Sequence, residues 1–382
     1  MINEVSEKIK KCLPEAKRNY QVHEPFFDEK STQHVNKCIN SNYVSSYGDY
    51  INKFSNKLQK ITNAKHILLT NSGTSALFLA LKLIEIENTE VLVPTMTFVA
   101  TVNSIIYNNA TPHFIDCEKD TLNIDIKKLT SYMRENFIMR GNKCFNKNNK
   151  KYIKCIIGVH AYGVPMDSQG LKKLCKKYNI EVIEDAAGAL GSYFLDKHVG
   201  IDCRASIISF NGNKIVTTGN GGAILLKNKK DFLLIKHLMS TARLQHPWKV
   251  QHDSIGYNMR MSNINASLGY DNLCNLDKHL VKKRKLFQAY HNTFNNCKYC
   301  FIQNCQQKYS PNHWVINLYL YDEYKKYHQS LIKNLHSLGL HVRELWTPQH
   351  LNEPFKKFPK SNLSNAVNNW KRVISLPSSY YK

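Results

Sequence analysis

A single lysine is the first residue of this sequence that could do covalent chemistry. Lys214 lies in the segment SFNGNKIVTTGNGGAILL (residues 209–226), where four glycines separate two apolar runs. An unprotonated lysine amine can attack a carbonyl group, and glycines let the backbone come close to a ligand. Glycines and lysines also occur in ordinary hairpin turns. The segment alone therefore leaves a reactive and a purely structural interpretation open.

A candidate phosphate site follows another apolar run. NSGTSAL (residues 71–77) comes directly after HILLT and begins a helical pattern. The free backbone N–H groups of a helix start, here near Gly73 and Thr74, attract anions such as phosphate. The alternative is an ordinary helix start capped by Ser72 or Thr74.

An aromatic ring and a pair of acids end two further runs. Phe98 follows EVLVP and could either pack in the core or offer a flat ring to an aromatic ligand. Glu184 and Asp185 end the run EVIED. A buried carboxylate there requires a cationic partner, for which a protonated ring nitrogen would serve, whereas a helix-capping role is the alternative.

The pattern of apolar runs predicts how these groups are positioned. Between about residues 64 and 227, short apolar runs alternate with amphipathic helical stretches. This alternation predicts a mainly parallel sheet covered by helices on both faces, with ligands at the carboxyl ends of the strands. The pattern changes after residue 245. We therefore expect a large α/β domain at 1–245, including the N-terminal segment, and a smaller α+β domain at 246–382.

A lysine, an acid, a flat ring and a phosphate site at one sheet edge match the needs of one cofactor. Pyridoxal 5′-phosphate requires an amine to bond its aldehyde, a carboxylate beside its ring nitrogen, and donors for its phosphate. The order of these groups along the chain therefore predicts a pyridoxal phosphate site.

The composition limits the possible partners. The 382 residues carry a formal net charge of +24, which attracts anions of many kinds. The densest basic cluster, KCFNKNNKKYIK (residues 143–154), is predicted to be a solvated loop, and no zinc-finger or RNA-binding pattern accompanies it. We expect an anionic small-molecule substrate, no nucleic acid and no membrane. No secretory segment is recognisable at the N-terminus, which predicts a cytoplasmic protein.

The cysteines do not predict a metal site. There are eleven, and their only close group is CKYCFIQNC (residues 297–305). A zinc site would need a second pair or nearby histidines at the usual spacing. Free thiols in a reducing compartment are therefore expected.

Six ordered motifs resemble the sugar aminotransferases of the DegT/StrS type, which are fold type I pyridoxal phosphate enzymes. The resemblance extends from about His23 to Ser379 and is carried by NSGTSAL, VPTMTFVAT, VHAYGVPMD, EDAAGALGS, SFNGNKIVTTGNGGAIL and GYNMRMSNINASLG. It implies a mostly parallel central sheet flanked by helices. Narrower segments resemble the branch that makes UDP-4-amino-4,6-dideoxy-N-acetylglucosamine: VHEPFF, NYVSSYGDYINKF, NKCFNKNNKKYIKCIIGVH, STARLQHPWKVQHDSIGYN and ELWTPQH.

The resemblance implies specific roles around the cofactor ring. Lys214 corresponds to the Schiff-base lysine, and Asp185 to the acid that faces the pyridine nitrogen. Phe98 corresponds to the aromatic residue that stacks on the ring. His160, in VHAYG, lies near the cofactor in relatives, but a hydrogen-bonded structural histidine is an equal alternative.

The resemblance also implies how the phosphate is bound. Gly73, Thr74 and Ser209 correspond to phosphate ligands. Asn258 matches an asparagine that reaches the cofactor phosphate of the neighbouring subunit, which implies a homodimer with shared sites.

The expected activity follows from the family branch. The enzyme would move the amino group of L-glutamate to the C4 ketone of a UDP-linked 4-keto-6-deoxy-N-acetylhexosamine. Candidate substrate contacts are Arg243, His246, Trp248 and Arg260. One alternative is the same chemistry on a GDP- or dTDP-linked 4-keto- or 3-keto-6-deoxy sugar, of the perosamine or viosamine type. Another is a pyridoxal phosphate-bearing regulatory protein.

Two positions depart from the family pattern. Gly188 stands where the family usually carries Gln, Glu or His near the 3-oxygen of the cofactor. We expect that contact to be lost or supplied by water or another residue. Asn272 stands near the place of a glutamine that is common in relatives.

Overall fold

The structure, a computed structural model, describes residues 1–14 and 19–379. Its α-helices in that part of the chain are α1 Ile2–Lys11, α2 Glu29–Asn40, α3 Asp49–Thr62, α4 Gly73–Ile84, α5 Val99–Tyr107, α6 Ile126–Asn136, α7 Ser168–Lys177, α8 Lys229–Leu238, α9 Asn263–Cys274, α10 Leu276–Phe294, α11 His328–Ser337 and α12 Ser364–Trp370.

The strands over the same residues vary in length from two to eight residues. They are β1 Tyr20–Gln21, β2 His66–Thr70, β3 Glu90–Pro94, β4 Thr111–Ile115, β5 Phe137–Arg140, β6 Lys143–Asn146, β7 Tyr152–Val159, β8 Glu181–Asp185, β9 Tyr193–Phe194, β10 Lys197–His198, β11 Ala205–Ser209, β12 Gly222–Leu226, β13 Cys300–Ile302, β14 Tyr309–Ser310, β15 Ile316–Leu320, β16 Leu340–His341, β17 Arg343–Glu344 and β18 Val373–Leu376.

A central sheet runs in the order β2-β12-β11-β8-β7-β3-β4. Strands β11, β8, β7, β3 and β4 pair in parallel, and β12 lies antiparallel between β11 and β2. Strand β2 therefore points the same way as β11. The carboxyl ends of β2, β3, β7, β8 and β11 meet at one edge, as the sequence predicted.

Both faces of this sheet are buried by alternating side chains. In β12, Ile224 and Leu226 join a cluster with α4, α5 and α8, whereas Ala223 and Leu225 join another with α3 and α9. Because successive strand residues point to opposite faces, one apolar run supplies both clusters. Helices α6 and α7 cover the remaining strands on the second face.

The basic insert is not the solvated loop that the sequence predicted. Strands β5 and β6 form an antiparallel hairpin, and β6 pairs with β7 at the sheet. The insert is held by the buried carboxylate of Glu90, which accepts hydrogen bonds from the side-chain amides of Asn146 (3.0 Å) and Asn149. Asparagines that look solvated in the sequence thus satisfy a buried acid, which the sequence pattern did not indicate.

A second sheet, β13-β15-β18-β17, is antiparallel and belongs to the C-terminal part of the chain. Helix α1 packs there: Val5 and Ile9 are buried with residues of α10 and α11. Conversely, α9 packs against α2 and α3 of the larger part. The division at 245/246 stays a prediction, and these helices pack across it.

The hydropathy of the helices places no segment in a bilayer. In residues 1–14 and 19–379, every helix is too short or too polar to span the hydrocarbon layer.

Asp116 ties the C-terminal helix α12 to the central sheet. Its carboxylate, directly after β4, accepts hydrogen bonds from the backbone N–H groups of Ala366 (3.0 Å) and Asn365 (3.1 Å). Lys128 donates to the same carboxylate at 2.7 Å. Asp116 thereby satisfies first-turn amides that a helix cannot satisfy itself.

Replacing Asp116 with alanine should destabilise the protein. The change leaves two buried N–H groups unpaired, and we expect the free energy of unfolding to fall by about 2–4 kcal/mol. Urea unfolding followed by circular dichroism measures the effect, and Asp120→Ala, at an exposed neighbouring position, is the matched control. Equal stability of the two variants would show that Asp116 does not join these elements.

Candidate active site

A cavity of about 270 Å³ opens at the sheet edge where the parallel strands end. The residues predicted to contact a cofactor within one chain all line it: Gly73, Thr74, Phe98, His160, Asp185, Ser209 and Lys214. They come from the ends of β2, β3, β7, β8 and β11 and the loops that follow. The parallel strand order therefore brings residues 141 positions apart, from Gly73 to Lys214, around one space.

The start of α4 forms the anion-binding end of the cavity. Ser72 caps the helix, and its hydroxyl accepts a hydrogen bond from the backbone N–H of Ser75 at 3.0 Å. The N–H groups of Gly73 and Thr74 have no acceptor within the helix, because first-turn amides lie beyond its hydrogen-bond ladder. A Cβ atom on Gly73 would lie 2.9 Å from the Cβ of Ser209. Glycine thus lets the Ser209 hydroxyl come close to these amides.

The two acids that end β8 have different surroundings. Because they are adjacent in a strand, their side chains point to opposite faces. Asp185 is 5% exposed and lines the cavity, where it accepts hydrogen bonds from Thr101 (2.8 Å) and from the backbone N–H of Ala187 (3.0 Å). Burial raises the pKa of Asp185, against the lowering effects of these bonds and of the charge on Lys214. A cation bound in the cavity would stabilise the ionised form.

Glu184 is buried on the other face with its own partners. It accepts hydrogen bonds from the backbone N–H of Gly200 (2.7 Å) and the thiol of Cys203 (2.8 Å). Burial opposes ionisation, but the hydrogen bonds from His160 and Cys203 outweigh it and lower the pKa of Glu184 to about 2. Glu184 is therefore a structural carboxylate, and Asp185 alone of the two lines the cavity.

The side-chain contacts of His160 are structural. Its Nδ1 accepts a hydrogen bond from the backbone N–H of Met166 at 3.1 Å, so Nε2 carries the proton and donates to Glu184 at 3.1 Å. Its ring borders the cavity, and its backbone N–H donates to the carbonyl oxygen of Asp185 at 3.0 Å. A contact between His160 and the cofactor stays a prediction.

The surroundings of Lys214 make its amine easier to deprotonate than that of an ordinary lysine. The side chain is partly buried between the loop after β11 and the ring of Trp314. Burial lowers the pKa of Lys214 to about 8, against the negative charge of Asp185, which raises it. An amine with this pKa is neutral and nucleophilic much more often than an ordinary lysine.

Aromatic rings enclose the cavity. Phe98 precedes α5, and its ring is 55% exposed. It meets Trp346 edge-on at 6.1 Å, and Trp346 stacks on Tyr162 with ring centroids 4.1 Å apart. The sequence did not identify Trp314 and Trp346 as cavity residues, although it singled out the segment ELWTPQH that contains Trp346. Their chemistry gave no signal, since tryptophan is usual in a core.

The residues of the cavity fit pyridoxal phosphate. An open aromatic face matches a flat ring, and the amides of Gly73 and Thr74 with the Ser209 hydroxyl match a phosphate. The buried Asp185 carboxylate matches a protonated ring nitrogen, and Lys214 matches an aldehyde. A Cβ atom on Gly73 would collide with Ser209. Because residue 73 is glycine, its amide and the Ser209 hydroxyl can both face the anion-binding end of the cavity.

Five predicted binding residues lie outside the cavity of their own chain. Asn258 is exposed. Arg260 lies over the ring of Tyr47 at 4.7 Å, and Arg243 acts on the same tyrosine through its charge. The ring of His246 packs edge-on against Trp248, which is 79% exposed. Their roles in binding remain predictions.

Asn272 has a structural contact. It is buried in α9, and its amide donates a hydrogen bond to the carbonyl oxygen of Phe26 at 3.0 Å. The side chain thereby joins α9 to the segment that precedes α2.

The lowered pKa of Lys214 can be measured through its reactivity. In protein freed of bound small molecules, we expect the rate of Lys214 acetylation to rise with pH and reach half its maximum near pH 8. Ordinary exposed lysines should rise around pH 10.4. Asp185→Asn removes the charge that raises this pKa and should shift the midpoint downward. Mass spectrometry after brief labelling gives the rates.

The exposed Asp196→Asn is the matched control and should leave the profile unchanged. A Lys214 midpoint near that of the exposed lysines would contradict the assigned burial.

The comparisons with known proteins agree with this geometry. Residues 25–380 match the model of the DegT/DnrJ/EryC1/StrS aminotransferase family. GDP-perosamine synthase of Escherichia coli O157:H7 is 32% identical over 361 residues, covering 94% of this chain and 92% of the relative. A Campylobacter jejuni UDP-4-amino-4,6-dideoxy-N-acetyl-beta-L-altrosamine transaminase is 30% identical over 353 residues, covering 92% and 90%.

The solved structures support the predicted fold. Helicobacter pylori PseC, described as an aminotransferase involved in the biosynthesis of pseudoaminic acid, superposes with a TM-score of 0.84 at 24% identity and covers 94% of this chain and 93% of its own. The predicted fold type I α/β architecture is thereby confirmed. The chain belongs to the DegT/DnrJ/EryC1/StrS aminotransferase family, as the resemblance in its motifs predicted.

Proposed function

We propose that this aminotransferase moves the amino group of L-glutamate to the C4 ketone of a UDP-linked 4-keto-6-deoxy-N-acetylhexosamine. It is a sugar aminotransferase by family, and its cofactor is pyridoxal phosphate. The observation that carries the chemistry is the meeting of Lys214 and Asp185 in one cavity whose far end is the start of α4. The choice of UDP is supported by the C. jejuni relative and by the segments VHEPFF and HPWKVQHDSIGYN.

The residues of the cavity would divide the work of holding the cofactor. The amides of Gly73 and Thr74 and the hydroxyl of Ser209 would bind its phosphate, and Phe98 would cover its ring. Asp185 would hold the proton on its ring nitrogen, with its own position fixed by Thr101 and Ala187. Pyridoxal phosphate supplies an aldehyde that accepts the amino group and a ring that takes up electrons.

Lys214 would act as nucleophile and base. With a pKa of about 8, roughly a quarter of the amines are neutral at pH 7.5, against about one in a thousand at the ordinary lysine pKa of 10.4. The free amine can take the proton from the α-carbon of glutamate and deliver it to another carbon within reach. The second half of the reaction, on the sugar ketone, uses the same amine in reverse.

A homodimer with shared sites is part of this proposal. Large apolar side chains are exposed on two adjoining segments, among them Tyr43, Trp248 and Ile255. The segments adjoin near Tyr47, since Arg260 lies over its ring at 4.7 Å and Arg243 acts on the same tyrosine through its charge. An exposed apolar surface of this kind favours association with a second copy. Arg243, Arg260 and Asn258 would then face the cavity of the partner, where the positive charges favour a nucleotide diphosphate.

The GDP-linked alternative rests on the E. coli relative, which is named a GDP-perosamine synthase. Its identity to this chain is close to that of the UDP-sugar relative, 32% against 30%. The identity values therefore do not select the nucleotide, and the experiment must compare both substrates directly.

The substrate is tested in the second half of the reaction. Protein first converted with L-glutamate and then freed of it is given UDP- or GDP-linked 4-keto-6-deoxy sugar. We expect the absorbance of lysine-bound cofactor to return at least tenfold faster with the UDP sugar, a preference of about 1.4 kcal/mol. Return with the GDP sugar alone would reject the proposed nucleotide. Lys214→Ala should slow transfer by about 10²–10⁴-fold, since it removes the base.

Shared sites are tested by mixing inactive variants. If Asn258 serves the partner's cavity, a hybrid of Lys214→Ala and Asn258→Ala subunits contains one site with both changes and one site with neither. We expect activity to appear when the two variants are dissociated and reassociated together, up to half the wild-type value per hybrid dimer. Mixing Lys214→Ala with Asp185→Ala is the control, since both residues line the same chain's cavity and no intact site forms. No recovery in the first mixture would argue against sharing.

A further inference from the structure

We propose that Trp314 replaces the side chain that is missing at Gly188 and holds the amino group of Lys214 against its ring face whenever that group is not bonded to the cofactor. This inference rests on the proposed role of Lys214 as the reactive amine. It gives a function to a residue from the C-terminal part of the chain, far in sequence from the motifs of the cavity.

Gly188 and Trp314 fill one space between them. A Cβ atom built on Gly188 would lie 2.4 Å from Cε3 and 2.6 Å from Cζ3 of the Trp314 ring. No side chain can occupy that position while the ring is there, because real contacts are longer by about an ångström. The Trp314 ring therefore accounts for the glycine at position 188. The indole ring occupies the space that a side chain at this position takes in the family.

Three hydrogen bonds fix the position of Trp314. Its ring Nε1–H donates to the carbonyl oxygen of Asn213 at 2.7 Å, its backbone N–H donates to the side-chain oxygen of Asn312 at 2.9 Å, and its carbonyl oxygen accepts from Lys283 at 2.8 Å. Lys283 is fully buried in α10. Because Asn213 precedes Lys214, the first bond joins the ring directly to the loop that carries the reactive amine.

Asn312 joins the same tryptophan to the loop after β8. Its amide nitrogen donates to the carbonyl oxygens of Gly188 (2.9 Å) and Leu190 (2.8 Å). One asparagine thus holds the backbone of Trp314 and the backbone of Gly188 in a fixed relation. With one hydrogen bond to the ring and two to its backbone, Trp314 is preorganised in this position.

The ring face is directed at the amine. Lys214 Nζ lies 3.6 Å from the centroid of the Trp314 ring. An indole face attracts an ammonium group and has much less attraction for a neutral amine. The ring therefore stabilises the charged form that Lys214 takes after it has accepted a proton. It also keeps the released amine beside the cavity, where it can act again.

The effects of other neighbouring groups on Lys214 can be distinguished from the effect of the Trp314 ring. Asp185 on β8 raises the pKa of Lys214, and burial lowers it. Burial lowers the pKa of His23 well below its usual value, and the charges of Lys283 and Lys214 lower it further. His23 is therefore neutral at physiological pH. His160 is committed to Glu184 and the backbone of Met166. The tryptophan face is thus the uncharged partner whose removal should lower the pKa of Lys214.

Trp314 also separates the cofactor cavity from a second one. The ring lines both the first cavity and an adjoining space of about 340 Å³ that includes His23, Arg343 and Trp346 in its lining. A small residue at position 314 would join the two. The size of the ring therefore keeps the two spaces apart, a role that phenylalanine could share in part.

The steric pairing is tested with Gly188→Gln in two backgrounds. In the wild type, the new side chain must displace the ring, and we expect affinity for pyridoxal phosphate, measured by equilibrium dialysis, to fall at least tenfold. In Trp314→Ala the space is free, and adding Gly188→Gln should cost no more than about twofold or should improve binding. Equal losses in both backgrounds would show that the two positions are independent and would overturn the pairing.

The electrostatic role is tested by the pH profile of Lys214 acetylation in cofactor-free protein. Trp314→Leu should lower the midpoint by about half a unit to one unit, and Trp314→Phe, which keeps a ring face, should lower it less. Trp346→Leu is the matched control, since that ring lines the same cavity but faces Tyr162, and its midpoint should not change. An unchanged midpoint in Trp314→Leu would refute the role of the ring.

Borohydride trapping separates this inference from the proposed function. Reduction of the wild-type protein with bound pyridoxal phosphate should attach the cofactor to Lys214, as mass spectrometry of the peptides would show. If the cofactor is found on another residue, the proposed function fails. If it is found on Lys214 but the Trp314 variants behave as the wild type, only the present inference fails. Circular dichroism and the unfolding midpoint of each variant exclude misfolding as the cause of an effect.

Discussion

The burial of one carboxylate beside one amine is the constraint on which the site depends. Asp185 and Lys214 lie at the same cavity, and each affects the ionisation of the other. Burial disfavours the charged form of both, while their mutual attraction favours it. For Lys214 the result is a pKa of about 8, which leaves the amine near the balance between its charged and neutral states. That balance suits a lysine that must lose and regain a proton.

The parallel sheet sets up this balance by geometry. Strand alternation directs Glu184 to partners of its own and leaves Asp185 to the cavity. The same alternation sends apolar side chains to both faces of the sheet, where helices pack against them. This packing on both faces fixes the positions of the strand ends. A site built on such an edge keeps its groups at fixed distances, which catalysis by positioning requires.

The C-terminal part of the chain completes what the sheet begins. Trp314 and Trp346 close the cavity over the ends of the parallel strands. Trp314 is held by two buried polar groups, Lys283 and Asn312, that have no part in the family motifs. Trp346 is held by its backbone N–H, which donates to the hydroxyl of Tyr162 at 2.8 Å. Asp116 adds a tie between the sheet and α12. The C-terminal part of the chain thus contributes directly to the lining of the cavity that contains Lys214.

The sequence by itself determined the local elements and the order of the chemistry-bearing residues. The apolar runs at HILLT, EVLVP and EVIED became strands, and the residues after them reached one cavity, because parallel strands end at a common edge. Only the tertiary structure decided which neighbours each group received. The basic insert became a hairpin whose Asn146 bonds the buried Glu90, and the position beside Gly188 was filled by a ring from residue 314. Such contacts join residues more than fifty positions apart, and their formation depends on shape and desolvation, which no local pattern of residues records.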